Sequence, residues 1–295
     1  MDNNLKTVFF LSALTGLLVF TGFALGGEAG AIIALFFAGA INFFAYWFSD
    51  KIVLAMYGAR ELKESEAQNI HAMVERLAQN AGIPKPKIFL APINQPNAFA
   101  TGRDPQHGVI CFTHGILQAL DKEELEGVAA HELGHIKNMD ILITSIVATF
   151  AGALTLIGRF AFYFGFLFSG KDKNNLAGSI LSFLFFVIVT PVIAVMLQLA
   201  VSRSREYLAD STGAQIAGSS QGLARALGKL EQYSAKIPMP ADASGRATAH
   251  LFIVNPFGKS FFTGLFSTHP SVQKRVEKLN ALGFGIKRFE AKVGV

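Results

Sequence analysis

Two uncharged apolar runs open the chain, residues 7–27 and 29–49, with only Glu28 between them. Each is long enough to cross a bilayer as a helix, which takes about 20 residues. The turn around Gly26, Gly27 and Glu28 carries no Lys or Arg, whereas Lys6 precedes the pair and Lys51, Arg60 and Lys63 follow it. By the positive-inside rule both flanks lie in the cytoplasm and the turn outside. A cleavable signal peptide fits less well: the first run is long, no small-x-small site stands out, and a second run follows at once. A later apolar pair is less regular. Residues 141–158 are uncharged, Arg159 interrupts, 160–170 are apolar again, and 174–202 form a long uncharged run containing Pro191. The intervening loop carries Lys171, Asp172 and Lys173, and its two lysines argue against placing it outside. This pair therefore reads either as a spanning hairpin or as one that dips into the membrane or packs on the soluble part.

The polar stretches carry shorter periods. Residues 87–93, 97–102 and 108–112 read as strands, the second bounded by Pro96 and Asp104-Pro105. Asp121 with Glu124 three residues on predicts a capping box, and Leu125, Val128, Ala129 and Ile136 predict the helix that follows it. Val272, Val276 and Leu279 predict an amphipathic helix after Pro270. The expected fold is an α+β integral membrane protein, mostly helical, with a soluble domain that has a small sheet and two hydrophobic helical hairpins. Its parts are a hairpin over 1–50, soluble segments 51–140 and 203–295, and a second hairpin over 141–202 between them. No internal repeat or low-complexity tract is visible.

Composition agrees with a membrane protein. Of 295 residues, 51% are hydrophobic and 16% charged, against about 25% charged in an ordinary soluble chain. The single cysteine, Cys111, excludes an internal disulfide and fits a reducing compartment. The net charge of +5 is spread without a dense basic run, so a nucleic-acid partner has little support.

The chemistry sits in His131-Glu132-Leu133-Gly134-His135. Histidines four residues apart share a helix face, so both imidazoles can reach one Zn²⁺, and Glu132 lies close enough to take a proton from an activated water. A catalytic zinc keeps three protein ligands and one open position. Glu206 and Asp210, one helical turn apart just after the last apolar run, supply the third ligand and a carboxylate to orient His131. The bland reading of that block is a solvated helix start. Ligands on both sides of 141–202 require an even number of crossings between them. The closeness of His135 to residue 141, about 9 Å along a helix, puts the site next to the membrane face. Asn97, Ala98 and Phe99 are candidates to bind substrate by strand addition, with an ordinary edge strand as the alternative. His71, His107, His114 and His250 have no partner at ligand spacing, and Arg203 and Arg205 read as residues that snorkel or pair with carboxylates.

These blocks, together with Asn97-Ala98-Phe99-Ala100-Thr101-Gly102, Ser202-Arg203-x-x-Glu206-Tyr207-x-Ala209-Asp210 and Thr268-His269-Pro270-Ser271, resemble the HtpX family of bacterial membrane-bound heat-shock zinc endopeptidases. More broadly the chain is similar to the family that includes the CAAX prenyl-protein endopeptidases, although it has four spans at most, which argues against a large enclosed chamber. The resemblance implies one Zn²⁺ per chain and a bacterial inner-membrane, multi-pass location with the active site and both termini cytoplasmic. It also implies polypeptide substrates, chiefly damaged membrane proteins, and a place beside other membrane quality-control proteases. His269 is implied as an oxyanion-stabilising catalytic residue, with helix capping as its alternative. The rival readings are a CAAX-type processing peptidase and a non-enzymatic membrane protein with a structural zinc. An intact Glu132 argues against the latter, since structural zinc sites are closed by four ligands and need no base.

Overall fold

The computed structural model describes residues 3–150, 203–237, 249–256 and 270–282. Most of the second apolar pair, 151–202, and His269 lie outside these residues.

Helix α1, Asn3–Met56, is broken where Gly26 and Gly27 leave helical geometry, Gly27 with φ 60°. That left-handed value suits glycine, which has no Cβ to clash. The two arms turn back on each other: Asn42 Nδ2 donates to Thr15 Oγ1 at 2.8 Å, whereas an unbroken helix would hold them about 40 Å apart. Gly22 and Gly30 let the backbones touch beside the turn, leaving no room for a Cβ on either. The outer faces stay bare, with Phe36 76% exposed and Phe37, Phe43 and Phe44 also exposed. Among the described residues, Gly26–Met56 is the helix long and apolar enough to cross a membrane by length and composition.

The sheet comprises β1 Arg60–Glu61, β2 Lys87–Ala91, β3 Ala98–Thr101 and β4 Val109–Thr113, in the order β1-β2-β4-β3. Strands β2 and β4 are parallel, and the two outer strands pair antiparallel. Three strands fall where the sequence predicts them. β1 is too short to carry a period. The helices are α2 Gln68–Ala81, α3 His114–Ala119, α4 Lys122–Lys137, α5 Ile141–Phe150, α6 Arg203–Ala217, α7 Gln221–Lys236 and α8 Val272–Ala281.

Helix α4 is the hub, packed by α2, α6, α7 and the sheet. Its start is the predicted capping box: Glu124 N donates to Asp121 Oδ1, and Asp121 N donates to Glu124 Oε2, both at 3.0 Å. Lys229 of α7 pairs with the buried Glu124 at 2.7 Å. Small residues let the neighbours approach. Gly134 faces the Ala209 carbonyl of α6, and Gly127 faces the Leu223 backbone of α7. Leu77, Ile88, Ile110, Phe112, Leu133 and Leu227 close the core around this helix.

Candidate metal centre

The last two turns of α4 carry His131 and His135, whose Nε2 atoms face each other at 3.2 Å. Glu206, on the first turn of α6, brings Oε2 to 3.9 Å from His131 Nε2 and Oε1 to 3.6 Å from His135 Nε2. One donor atom from each residue lies within 4.8 Å of the others. Donors held at about 2.0–2.1 Å around a tetrahedral ion stand roughly 3.4 Å apart, so the cluster fits one zinc, and three ligands leave a fourth position open.

Helix packing explains the convergence. The buried face of α6 runs through Glu206, Ala209, Asp210 and Gly213, so both carboxylates point into the molecule rather than to solvent. A Cβ on Gly213 would stand 2.9 Å from the backbone N and Cα of His131. Gly213→Ala must therefore push α6 away from α4. We expect it to cost about 1–3 kcal/mol, as overpacking does, and to weaken zinc retention. Denaturant midpoints and chelator competition check the two effects.

Each ring has its other nitrogen on a carboxylate. His131 Nδ1 lies 3.0 Å from Asp210 Oδ1, and His135 Nδ1 lies 3.1 Å from Asp140 Oδ2. An ionised carboxylate only accepts, so Nδ1–H donates and the Nε2 lone pair is left for a metal. Asp210 is clamped by Arg275 of α8, which donates from Nε at 2.9 Å and from Nη2 at 2.6 Å. Arg275 Nη1 also donates to the Ile253 carbonyl at 2.9 Å and lies 3.5 Å from Glu206 Oε2.

These charges set the proton affinities. Burial raises the Glu132 carboxyl to about 7, with His135 opposing and Glu206 adding. Burial takes the His131 imidazole down to about 4 despite the Asp210 hydrogen bond. His135 goes the other way, to about 9: burial opposes the proton, but the Asp140 hydrogen bond and the Glu206 charge outweigh it. Asp210 is buried too, yet Arg275 and His131 hold it down at about 2. The Ala100 backbone N–H donates to Glu132, tying the candidate base to the edge strand β3.

The other sequence candidates are placed as follows. Asn97, Ala98 and Phe99 lie on or beside β3 and are buried. Asn97 Nδ2 donates to the Val254 carbonyl at 2.9 Å, Ile253 N donates to the Ala98 carbonyl at 3.2 Å, and Phe99 packs edge-on against Phe252. The outer edge of β3 is thus met by the chain's own segment. His71 pairs with the Leu62 carbonyl, His107 with Asp104 and His250 with the Thr144 carbonyl, while His114 is exposed. Sequence reasoning missed Asp140 and Arg275. Each left a signal. Arg275 is three residues after Val272 and one before Val276, a charge on the apolar stripe. Asp140 is the last charge before a long apolar run.

The pattern of peptidase family M48 matches residues 64–282. A protease HtpX homologue of Sulfurihydrogenibium sp. is 51% identical over 96% of this chain and 97% of its own. One of Persephonella marina is 50% identical over 94% and 96%. The crystal structure of S. mikatae Ste24p shares the fold with TM-score 0.51 at 17% identity, over 94% of this chain. This chain spans 64% of the length of that one, less than two thirds.

Proposed function

Because the chain belongs to peptidase family M48, and within it to the HtpX proteases, a family of metalloproteases, we propose that it is a membrane-bound zinc endopeptidase that hydrolyses misfolded or damaged membrane proteins at the cytoplasmic membrane face. The observation that carries this reading is the convergence of His131 Nε2, His135 Nε2 and the Glu206 carboxylate next to a buried Glu132.

His131, His135 and Glu206 would hold the ion. Bound there, zinc supplies Lewis-acid polarisation of the peptide carbonyl and acidifies water towards neutral pH. Glu132 takes the proton of the attacking water and returns it to the leaving amine. Asp210 keeps His131 in the tautomer that presents Nε2. His269, just before the Ser271 cap of α8, is the donor we assign to the carbonyl oxygen as it gains charge. Asn97, Ala98 and Phe99 are the assigned docking edge: a substrate strand pairs there once the segment at Ile253 yields its place.

The membrane assignment is supported by the bare aromatic face of Gly26–Met56 and by the apolar helix Ile141–Phe150, which begins six residues after His135. Ligands from both sides of 141–202 meet in one site, which fits an even number of crossings and leaves both termini on the cytoplasmic side. Substrates at that face are membrane-protein loops and polypeptides left unfolded there.

Zinc removal tests the reading. The full chain, purified in detergent and stripped with chelator, should stop cutting an unfolded, unprenylated protein and recover with about one zinc per chain. Cleavage indifferent to zinc refutes the metal site. Zinc uptake without cleavage of that substrate, but with cleavage of a prenylated peptide, favours a processing enzyme.

A further inference from the structure

We propose that Asp140 is the positioning residue of His135, held in place by a left-handed turn at Met139 and by Arg205, so that each metal-facing imidazole is backed by a carboxylate that is itself backed by an arginine. The inference rests on the zinc reading above and deepens it.

The chain reverses sharply after α4. Asn138 caps the helix, Met139 N donates to the Ile136 carbonyl at 3.1 Å, and Asp140 N donates to the His135 carbonyl at 3.0 Å. Met139 adopts φ 58°, and among the described residues it is the non-glycine residue with positive φ. That conformation is disfavoured for a side chain with a Cβ, and helices that end this way usually place glycine here. Strain of this kind persists where surrounding structure insists on it, often at functional sites. Here it folds Asp140 back over the helix end instead of letting α4 run straight on into α5.

The result is a buried carboxylate, 3% exposed, that works in two directions. Oδ2 lies 3.1 Å from His135 Nδ1, and Oδ1 lies 3.6 Å from Arg205 Nη1. Arg205 is itself buried and precedes the ligand Glu206. Asp140 therefore touches both halves of the centre: the ring on α4 and the helix that delivers Glu206. Its backbone carbonyl meanwhile accepts from Thr144 N at 3.4 Å as α5 begins. Asp140 stands behind His135 as Asp210 stands behind His131, with Arg205 near the first through one ion-pair contact at 3.6 Å and Arg275 bound to the second through two hydrogen bonds. A carboxylate behind a ligating imidazole fixes the ring, sets its tautomer and raises its basicity. Its loss lowers metal affinity by about 10–100-fold.

The test uses the full chain in detergent, with wild type, Asp140→Asn and Asp140→Ala compared. Zinc affinity is read by chelator competition, ring geometry by the visible spectrum of the Co²⁺-substituted protein, and folding by melting of the metal-free form. Asn keeps the shape and removes the charge, so it should bind zinc about 10–100-fold more weakly. Ala should bind more weakly still and alter the cobalt spectrum, because nothing holds the His135 ring. Wild-type zinc affinity in both variants overturns the proposal. So does weaker binding with an unchanged cobalt spectrum in Asp140→Ala and a matching drop in metal-free stability, which would make Asp140 a purely structural partner of Arg205. If wild type holds no zinc, the zinc reading falls first and this inference with it. If wild type holds zinc and both variants do so equally well, only the inference falls.

Discussion

Glu132→Gln should keep about one zinc per chain and cut an unfolded protein roughly 10²–10⁴-fold more slowly, the span that a positioned general base contributes. Glu132 is not in the donor cluster, so replacing it leaves the three ligands intact. Gln has the same shape, and its carbonyl oxygen can still accept from the Ala100 N–H that meets Glu132. What it cannot do is take a proton. The buried carboxyl sits near 7, close to neutral pH, where proton transfer in both directions is efficient. Metal content and initial rates, measured on one preparation, separate the outcomes. Equal loss of zinc and activity would make Glu132 a structural residue, and full activity would move the base elsewhere.

Arg275→Met should be the most destabilising single change at the centre, by about 3–5 kcal/mol, the cost of breaking a buried ion pair by removing one partner. Arg275 is 1% exposed and pairs with Asp210 through two nitrogens while standing close to Glu206. Burial alone disfavours its charge, yet Asp210, Glu206 and Glu132 raise its pKa. Remove the guanidinium and Asp210, Glu206 and Glu132 stay buried beside two imidazoles, with the remaining guanidinium, that of Arg205, standing on Asp140 rather than on Asp210. Zinc supplies some of the missing charge, so the loss should be larger in the metal-free form. Unfolding midpoints with and without zinc test this. The double variant Arg275→Met, Asp210→Asn should recover part of the loss, since it removes one orphaned charge. A single variant as stable as wild type would show that Asp210 does not depend on Arg275.

What the sequence disclosed depended on range. The capping box at Asp121, the His131–His135 face and the Glu206–Asp210 face are set by helical spacing within one segment, and the structure places each on its helix. The edge strand at Ala98–Thr101 was legible for the same reason. Its cover was not: Ile253 reaches Ala98 from more than 150 residues away, and no local pattern encodes that pairing. Arg275 belongs to the same class. A charge on the stripe of Val272, Val276 and Leu279 signals a buried partner but does not say which one, and the answer, Asp210, lies 65 residues back. Asp140 was hidden differently. Five residues after His135, on an uninterrupted helix it would lie on another face, and only the turn at Met139 brings it back.

The splitting of the ligand set across residues 141–202 also orders events during synthesis. His131 and His135 leave the ribosome roughly 70 residues before Glu206, and Arg275 follows after roughly 70 more. At about 5–20 residues per second, each interval lasts about 4–14 s. Through the first, the two imidazoles have no third ligand, and through the second, Asp210 has no guanidinium. The first interval is also the one in which residues 141–202 are synthesised, so the second apolar pair is made before the three-ligand set exists. The ligand set is complete only once Glu206 is made, and the guanidinium that clamps Asp210 arrives later still, so the order of the residues along the chain delays the assembled centre.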